Sequence, residues 1–254
     1  MLAIIGGSGL YSLGEAFDLQ DQVSRKTPYG DTSADVLLGR WQEIEVAFLP
    51  RHGAGHRVPP HAVNYRANIW ALKQVGVDRI IAINAVGGIS ADMAPRTLAL
   101  PDQLIDYSSG REHSFFDGAD GEVRHVDFSR PYSAALRDCL KQAGAQLGCS
   151  LVAAGTYGST NGPRFETAAE IKRMQRDGCS IVGMTGMPEA ALARELEIDY
   201  ACLALVVNWA AGVDDSEISM PEIMANLEQG IEQVRPLLLA AARLLARISH
   251  QGAG

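Results

Sequence analysis

The chain has 254 residues, 47% hydrophobic and 20% charged, with a formal net charge of −8. This is an ordinary balance for a globular protein, and the length allows one large α/β domain or two small ones. No Lys/Arg run stands out, which argues against a nucleic-acid or anionic-membrane surface because both need clustered cations; a small anion needs only one local pocket.

The first residues, MLAIIGGSGLY, have no basic start and only four apolar residues, Leu2 to Ile5, between Met1 and the glycines. They predict neither a signal peptide nor a membrane span, and the chain reads as cytoplasmic. Residues 2–5 instead read as a short strand. It runs into Gly6, Gly7, Ser8 and Gly9, where free N–H groups and a hydroxyl suit an oxyanion. A dinucleotide fingerprint would need a further glycine where Ser12 stands, so an anion site fits better, with a plain tight turn and a dinucleotide site as the alternatives.

Further apolar runs lie at 34–39, 44–50, 79–85, 98–106, 150–158, 180–184 and 200–208. Helical spacing occupies 63–76, 131–148, 167–178 and 188–198. A last segment opens on Ser219-Met220-Pro221-Glu222, with the spacing of a capping box, and continues as an amphipathic helix to about Ile248. Strand and helix alternating in this way predict an α/β fold: a single domain, residues 1–254, with a central mixed, mostly parallel sheet covered by helices. Cys139, Cys149, Cys179 and Cys202 form no CxxC pair and read as plain thiols in a reduced compartment.

In folds of this kind the chemistry sits beyond the carboxyl ends of the strands. There the sequence places LPRHGAGHRVPPH (49–61), whose histidines at 52, 56 and 61 invite a metal reading. The glycines at 53 and 55 and the prolines at 59 and 60 argue against one helical His face, and the Glu of H-E-x-x-H is missing, which leaves metal and a plain surface loop as the alternatives. Arg51 beside His52 suits a single phosphate better. INAVGG (83–88) and STNGPRFET (159–167) bring polar groups and glycines to two more strand ends. In the second, Phe165 reads as either a core anchor or a stacking plate for a flat ligand, and Glu166 alone as a solvated carboxylate. No G-x-S-x-G elbow or Ser/His/Asp order points to a covalent hydrolase.

Taken in order, GGSGLY, RHGAGH…VNYRANIWALK, INAVGG, FFDG, GPRFET, GMTGMPEAALA and VVNW span nearly the whole chain. Together they resemble the trimeric purine nucleoside phosphorylases, and among them the 5′-methylthioadenosine phosphorylase group. The resemblance implies the nucleoside phosphorylase fold and phosphorolysis: inorganic phosphate, a co-substrate, displaces a purine from C1′ without metal or organic cofactor. It implies Ser8, Arg51, His52, Ala85 (through its backbone) and Thr185 around phosphate, and Met184 under the ribose. Phe165, Val182 and Gly87 would line the base pocket. His125, in RHVDFSRPY, would reach across the interface of a homotrimer, or of a dimer of trimers, toward the 5′ end. Catalytic weight would fall on Asn208, His52 and Arg51. The partners implied are a small nucleoside and phosphate, with no nucleic acid and no membrane.

The chain also departs from that group. Enzymes for 6-aminopurines carry Asp where this chain has Asn208 and a second Asp where it has Ala210. An amide accepts from N7–H and donates to a carbonyl at position 6, whereas a carboxylate repels that carbonyl. Glu166 stands where methylthioadenosine enzymes carry Ser; it accepts from the N1–H of a 6-oxopurine, a donor adenine lacks. Inosine/guanosine phosphorylases keep a His on the last helix for the 5′-hydroxyl. Between Asn208 and Ile248 this chain has none, and ISMPEIM (218–224) offers Met220, Pro221 and Met224, an apolar setting that suits a methylthio group. Those three residues also read as plain packing at a helix start. An oxopurine base site joined to an apolar 5′ site predicts 5′-methylthioinosine as substrate. The alternatives are a general inosine/guanosine phosphorylase, a 5′-methylthioadenosine phosphorylase and, more distantly, a non-catalytic nucleoside-binding module.

Overall fold

In the computed structural model of the protein, residues 1–24, 26–118 and 121–251 are described. The strands are β1 (Leu2–Gly6), β2 (Phe17–Val23), β3 (Lys26–Thr27), β4 (Gly30–Asp31), β5 (Val36–Trp41), β6 (Ile44–Pro50), β7 (Arg79–Gly88), β8 (Leu98–Ala99), β9 (Gln103–Asp106), β10 (Leu151–Val152), β11 (Thr156–Ser159), β12 (Cys179–Gly183) and β13 (Asp199–Trp209). The helices are α1 (Tyr65–Gln74), α2 (Ala134–Leu147), α3 (Ala168–Arg176), α4 (Glu189–Glu195) and α5 (Met220–Gln251).

Eleven strands form one mixed sheet in the order β10-β8-β13-β7-β1-β6-β5-β2. A branch leaves β7 through β12 to β11 and β9, and β3 pairs only with β4. The centre is parallel: β1 lies between β6 and β7, and β13 runs alongside β7. Antiparallel pairs occur where β12 meets β7, where β8 meets β13, and along β2, β5 and β6.

The central strands are apolar on both sides because both faces of the sheet are covered. On β1, Leu2 and Ile4 pack into one core while Ala3 and Ile5 pack into the other. On β13, Leu203, Leu205 and Val207 join the first core, and Tyr200, Cys202 and Val206 the second. Helices α2 and α5 close the first core with residues such as Leu136, Leu140, Val234, Leu237 and Ala241. Helices α1 and α4 close the second with Ile69, Leu72, Ala190 and Leu192. The layers are therefore helix, sheet, helix.

Caps fix where the helices begin. The Ser133 side chain accepts from the Leu136 N–H at the start of α2. At α3, Thr167 and Glu170 form a reciprocal capping box. Helix α5 starts where the sequence predicts, with the Ser219 carbonyl accepting from the Ile223 N–H. It buries the 223, 227, 231, 234, 238, 241 and 245 stripe. No helix among the described residues is long and apolar enough to cross a membrane.

Two features set up the site. First, β7 has two neighbours at its carboxyl end: Gly87 is in register with Asn208 of β13 and with Val182 of β12. A Cβ on Gly88 would stand 1.8 Å from the Met93 carbonyl oxygen, so only glycine lets the chain pass there. Second, the β13 register shifts between Val206 and Asn208. Such a bulge re-aims the side chains around it.

Candidate functional site

The carboxyl ends of β1, β6, β7, β12 and β13 surround one cavity of about 770 Å³. Ser8, Arg51, His52, Ala85, Gly87, Phe165, Glu166, Val182, Met184, Thr185, Asn208, Ala210 and Met224 all line it. Residues drawn from seven separate stretches of sequence are thus brought to one place.

At the β1 and β6 end, Arg51 is fully buried. Its Nε donates to Glu189 Oε2 at 2.7 Å, its Nη2 to Glu189 Oε1 at 2.7 Å, and its Nη1 to the Ile83 carbonyl at 2.8 Å. Tyr200 donates to the same Glu189 Oε1 at 2.8 Å. Burial disfavours the guanidinium charge, but the attraction and hydrogen bonds of Glu189 outweigh it and hold the pKa above its ordinary value. The sequence suggests an arginine aimed, with His52, at one phosphate. In the structure Glu189 takes the guanidinium fork, and three N–H groups are engaged before any ligand arrives.

His52 is buried beside this pair. Its Nδ1 lies 2.9 Å from the Val58 carbonyl, which can only accept, so Nδ1 carries the proton and Nε2 is the free lone pair of the neutral ring. Burial, then the positive charge of Arg51, push its pKa down from 6.5 to about 4. His56 packs against it with ring centroids 4.4 Å apart, and Tyr11 meets His56 edge-on. His61 sits outside the cavity, in a short 3-10 turn, Pro60–Ala62. Among the described residues no three His, Cys, Asp or Glu side chains gather as a metal-binding group.

Thr185 is oriented from beneath. The buried Asn84 donates from Nδ2 to Thr185 Oγ1 at 2.8 Å, and Cys202 Sγ donates to Asn84 Oδ1 at 3.4 Å. With its oxygen already accepting, the Thr185 hydroxyl keeps its proton for another partner.

At the far end, Asn208 is half-buried and Nδ2 donates to the Trp209 carbonyl at 2.6 Å. Its Oδ1 and second amide hydrogen are left to face a ligand. Ala210 is buried against Gly87 and Val182, in the place a longer acid would have to occupy. Glu166 accepts from Thr160 Oγ1 at 2.6 Å. Phe165 is 39% exposed on the cavity wall, so it is not a core anchor.

The apolar side of the cavity comes from α5 and the turn before it: Ile218, Met220, Ile223, Met224 and Leu227. Here the structure corrects one expectation, because Pro221 is exposed and is not part of the lining. Positions 220, 223, 224 and 227 share one helix face, and residue 221 is turned about 100° from Met220. His125 is exposed and lies outside the cavity of its own chain.

Sequence reading missed Glu189 and Arg111. A Glu in the first turn of a helix reads as a solvated acid, yet Glu189 is fully buried. Arg111 donates to the carbonyls of Thr160, Asn161 and Met184, at 3.2, 3.0 and 2.9 Å, and to that of Met187. It thereby ties together the two loops that carry Glu166 and Thr185. No local pattern marks such a residue, since its partners are carbonyls far along the chain.

A family model described as Phosphorylase superfamily matches residues 1–243. A Pseudomonas syringae pv. tomato protein named probable S-methyl-5′-thioinosine phosphorylase is 54% identical over 244 residues, covering 96% of this chain and 98% of the relative. The 6-oxopurine nucleoside phosphorylase of Pyrococcus furiosus is 44% identical over 251 residues, covering 97% and 93%. Among solved structures, methylthioadenosine phosphorylase from Schistosoma mansoni in complex with adenine superposes with a TM-score of 0.89 at 31% identity. That superposition covers 97% of this chain and 92% of the other.

Two outcomes follow from the site's electrostatics. Glu189→Ala strands the Arg51 charge in the core and lowers unfolding stability by about 3–5 kcal/mol, read by urea denaturation. The second concerns His52, whose pKa is depressed in the folded state to about 4 from the ordinary 6.5. Between those values the unfolded chain binds the extra proton, so this stability is present above pH 6.5 and is lost as pH falls toward 4. The loss is on the order of 3 kcal/mol, and His52→Gln flattens this part of the stability–pH curve.

Proposed function

The chain belongs to the phosphorylase superfamily, and on that premise we propose that it cleaves 5′-methylthioinosine with inorganic phosphate, giving hypoxanthine and 5-methylthioribose 1-phosphate. One observation carries this reading: a single cavity joins an amide and a carboxylate, Asn208 and Glu166, to a methionine-bearing apolar wall from α5. The amide suits O6 and N7–H, the carboxylate suits N1–H, and the apolar wall suits a thioether rather than a hydroxyl. The names of the Pseudomonas syringae and Pyrococcus furiosus relatives agree with an oxopurine base.

Phosphate is held by the Ser8 hydroxyl, the Ala85 backbone, the Thr185 hydroxyl, His52 and a remaining N–H of Arg51. Neutral His52 accepts the P–OH hydrogen at Nε2, and Glu189 balances the charge of Arg51, so the dianion keeps its negative charge. That charge stabilises the oxocarbenium-like ribose as the C1′–N9 bond breaks. Met184 supports the ribose and Phe165 flanks the base, with Val182 and Gly87 forming the rest of its pocket. The electron pair of the C1′–N9 bond leaves with the purine, and Asn208 Oδ1 accepts from the N7–H that forms. A phosphate oxygen then bonds to C1′. Overall, phosphate loses one proton and hypoxanthine gains one, so atoms and charge balance without a metal or organic cofactor.

On this reading residues 1–254 act as one nucleoside phosphorylase domain in a cytoplasmic homotrimer. His125 of each copy serves the 5′ side of a neighbouring cavity. The exposed Met220 and Met224, at 54% and 52%, are an apolar rim that such a neighbour would cover. Static light scattering at three times the 27.2 kDa chain mass supports the trimer, and a monomer rejects it.

A comparison of kcat/KM for methylthioinosine, methylthioadenosine and inosine, each with phosphate, tests the substrate. Methylthioinosine leads methylthioadenosine by about tenfold or more, as two polar mismatches of about 1 kcal/mol each at the base require, and it leads inosine through the apolar 5′ wall. An equal lead for methylthioadenosine would sink the proposal, and a lead for inosine would favour a general oxopurine enzyme. Asn208→Asp combined with Ala210→Asp lowers the oxopurine rate and shifts the ratio toward the aminopurine. An unchanged ratio removes Asn208 from base selection.

A further inference from the structure

We infer that Thr160 is a positioning residue for base selection, holding Glu166 so that one carboxylate oxygen faces the purine. The inference rests on the proposed base-reading role of Glu166 and goes beyond it.

Glu166 stands between two cavities. It lines the large one described above and also a second, of about 250 Å³, with Thr160, Arg164, Glu170 and Arg173 on its walls. The second cavity is flanked by two guanidinium groups, so a free carboxylate would have a favourable alternative direction in which to turn. Two contacts oppose that turn. The Thr160 hydroxyl donates to Glu166 Oε1 at 2.6 Å, a short charge-assisted bond. Arg164, the nearer competitor in sequence, is engaged by Glu170 through two bonds of 2.9 and 2.8 Å.

Thr160 is itself held from both sides. Its N–H donates to the Gly183 carbonyl at 2.9 Å, at the end of β12. Its carbonyl accepts from Arg111 Nη2 at 3.2 Å. The hydroxyl has a single proton, and the Gly183 oxygen lies 3.5 Å from Oγ1, so the 2.6 Å bond to Glu166 takes it. Oε1 is thereby occupied, and Oε2 is the oxygen left to accept N1–H of a 6-oxopurine. Because a 6-aminopurine has no hydrogen at N1, this arrangement matters for one base class only.

The test measures kcat/KM for methylthioinosine and methylthioadenosine, together with the KM for phosphate, in Thr160→Val, Thr160→Ala, Thr160→Ser and Glu166→Gln. Loss of the donor in Thr160→Val and in Thr160→Ala lowers the methylthioinosine value by about tenfold, the worth of one part-buried charge-assisted bond. The methylthioadenosine value and the phosphate KM stay within about twofold of the parent. Thr160→Ser, which keeps the hydroxyl, retains the parent ratio. A merely structural role would lower both substrates together and would not be rescued by serine, and that outcome overturns the inference. Glu166→Gln separates the two levels of the argument. If it lowers the oxopurine-to-aminopurine ratio and both donor-less variants do not, Thr160 is not the positioning residue. If Glu166→Gln itself leaves the ratio unchanged, the reading of Glu166 as a base contact fails, and the role of Thr160 fails with it.

Discussion

The buried pair of Arg51 and Glu189 is the interaction on which the geometry of the site depends. Taking two charges out of water costs several kcal/mol per ion, and only a closely matched partner offsets it. Here the match has two parallel N–H bonds, a carbonyl on β7 for the third N–H, and a Tyr200 hydroxyl from β13 on the carboxylate. The pair therefore joins the end of β6, the first turn of α4, β7 and β13. A Cβ on Gly7 would stand 3.0 Å from Arg51 Nη1 and 2.3 Å from the Ile83 carbonyl, which is why the turn after β1 must be glycine there. Burial, together with that same Arg51 charge, keeps the adjacent His52 neutral. A cavity wall that contains Arg51, Arg57 and two histidines is in this way less cationic than its composition suggests, because Glu189 balances Arg51 and His52 is neutral.

The other end of the cavity follows from how β7 finishes. With β13 on one side and β12 on the other, its two glycines bring three strand ends together at Gly87. Small residues there, Gly87 and Ala210, leave space beside the Asn208 amide, and the β13 bulge sets that amide's direction. Helix α5 then covers the opening with the one face that 3.6-residue periodicity makes apolar. The walls of the cavity are ends and edges of elements fixed by the core, completed by the loops that carry His56 and Phe165.

Much of this was legible in the sequence, and the failures have physical causes. IEVAFLP is a strand over its full predicted length, 44–50, because it is apolar and bounded by a polar turn and Arg51. The run at 98–106 breaks into β8 and β9 around Pro101, which has no N–H to give to a ladder. The run at 150–158 breaks at Gly155, whose φ of 128° takes the chain out of the extended region. Strand β2, FDLQDQV, is hard to read because it is an exposed edge whose alternation of Phe17, Leu19 and Val23 is interrupted at Asp21. Within the site, the residues that end strands were visible as polar groups among glycines. Glu189, Arg111 and Thr160 were not, since their importance lies in partners 138, 73 and 6 residues away.

The central claim is that one cavity reads an oxopurine at Asn208 and Glu166 while holding phosphate near His52 and Thr185. A crystal structure with hypoxanthine and phosphate bound tests it most directly. The account predicts the Asn208 amide at about 3 Å from both N7 and O6, Glu166 at about 3 Å from N1, and phosphate between Ser8, His52 and Thr185. A base turned away from Asn208 and Glu166, or a phosphate bound at the polar cavity beside Arg164 instead, would contradict it.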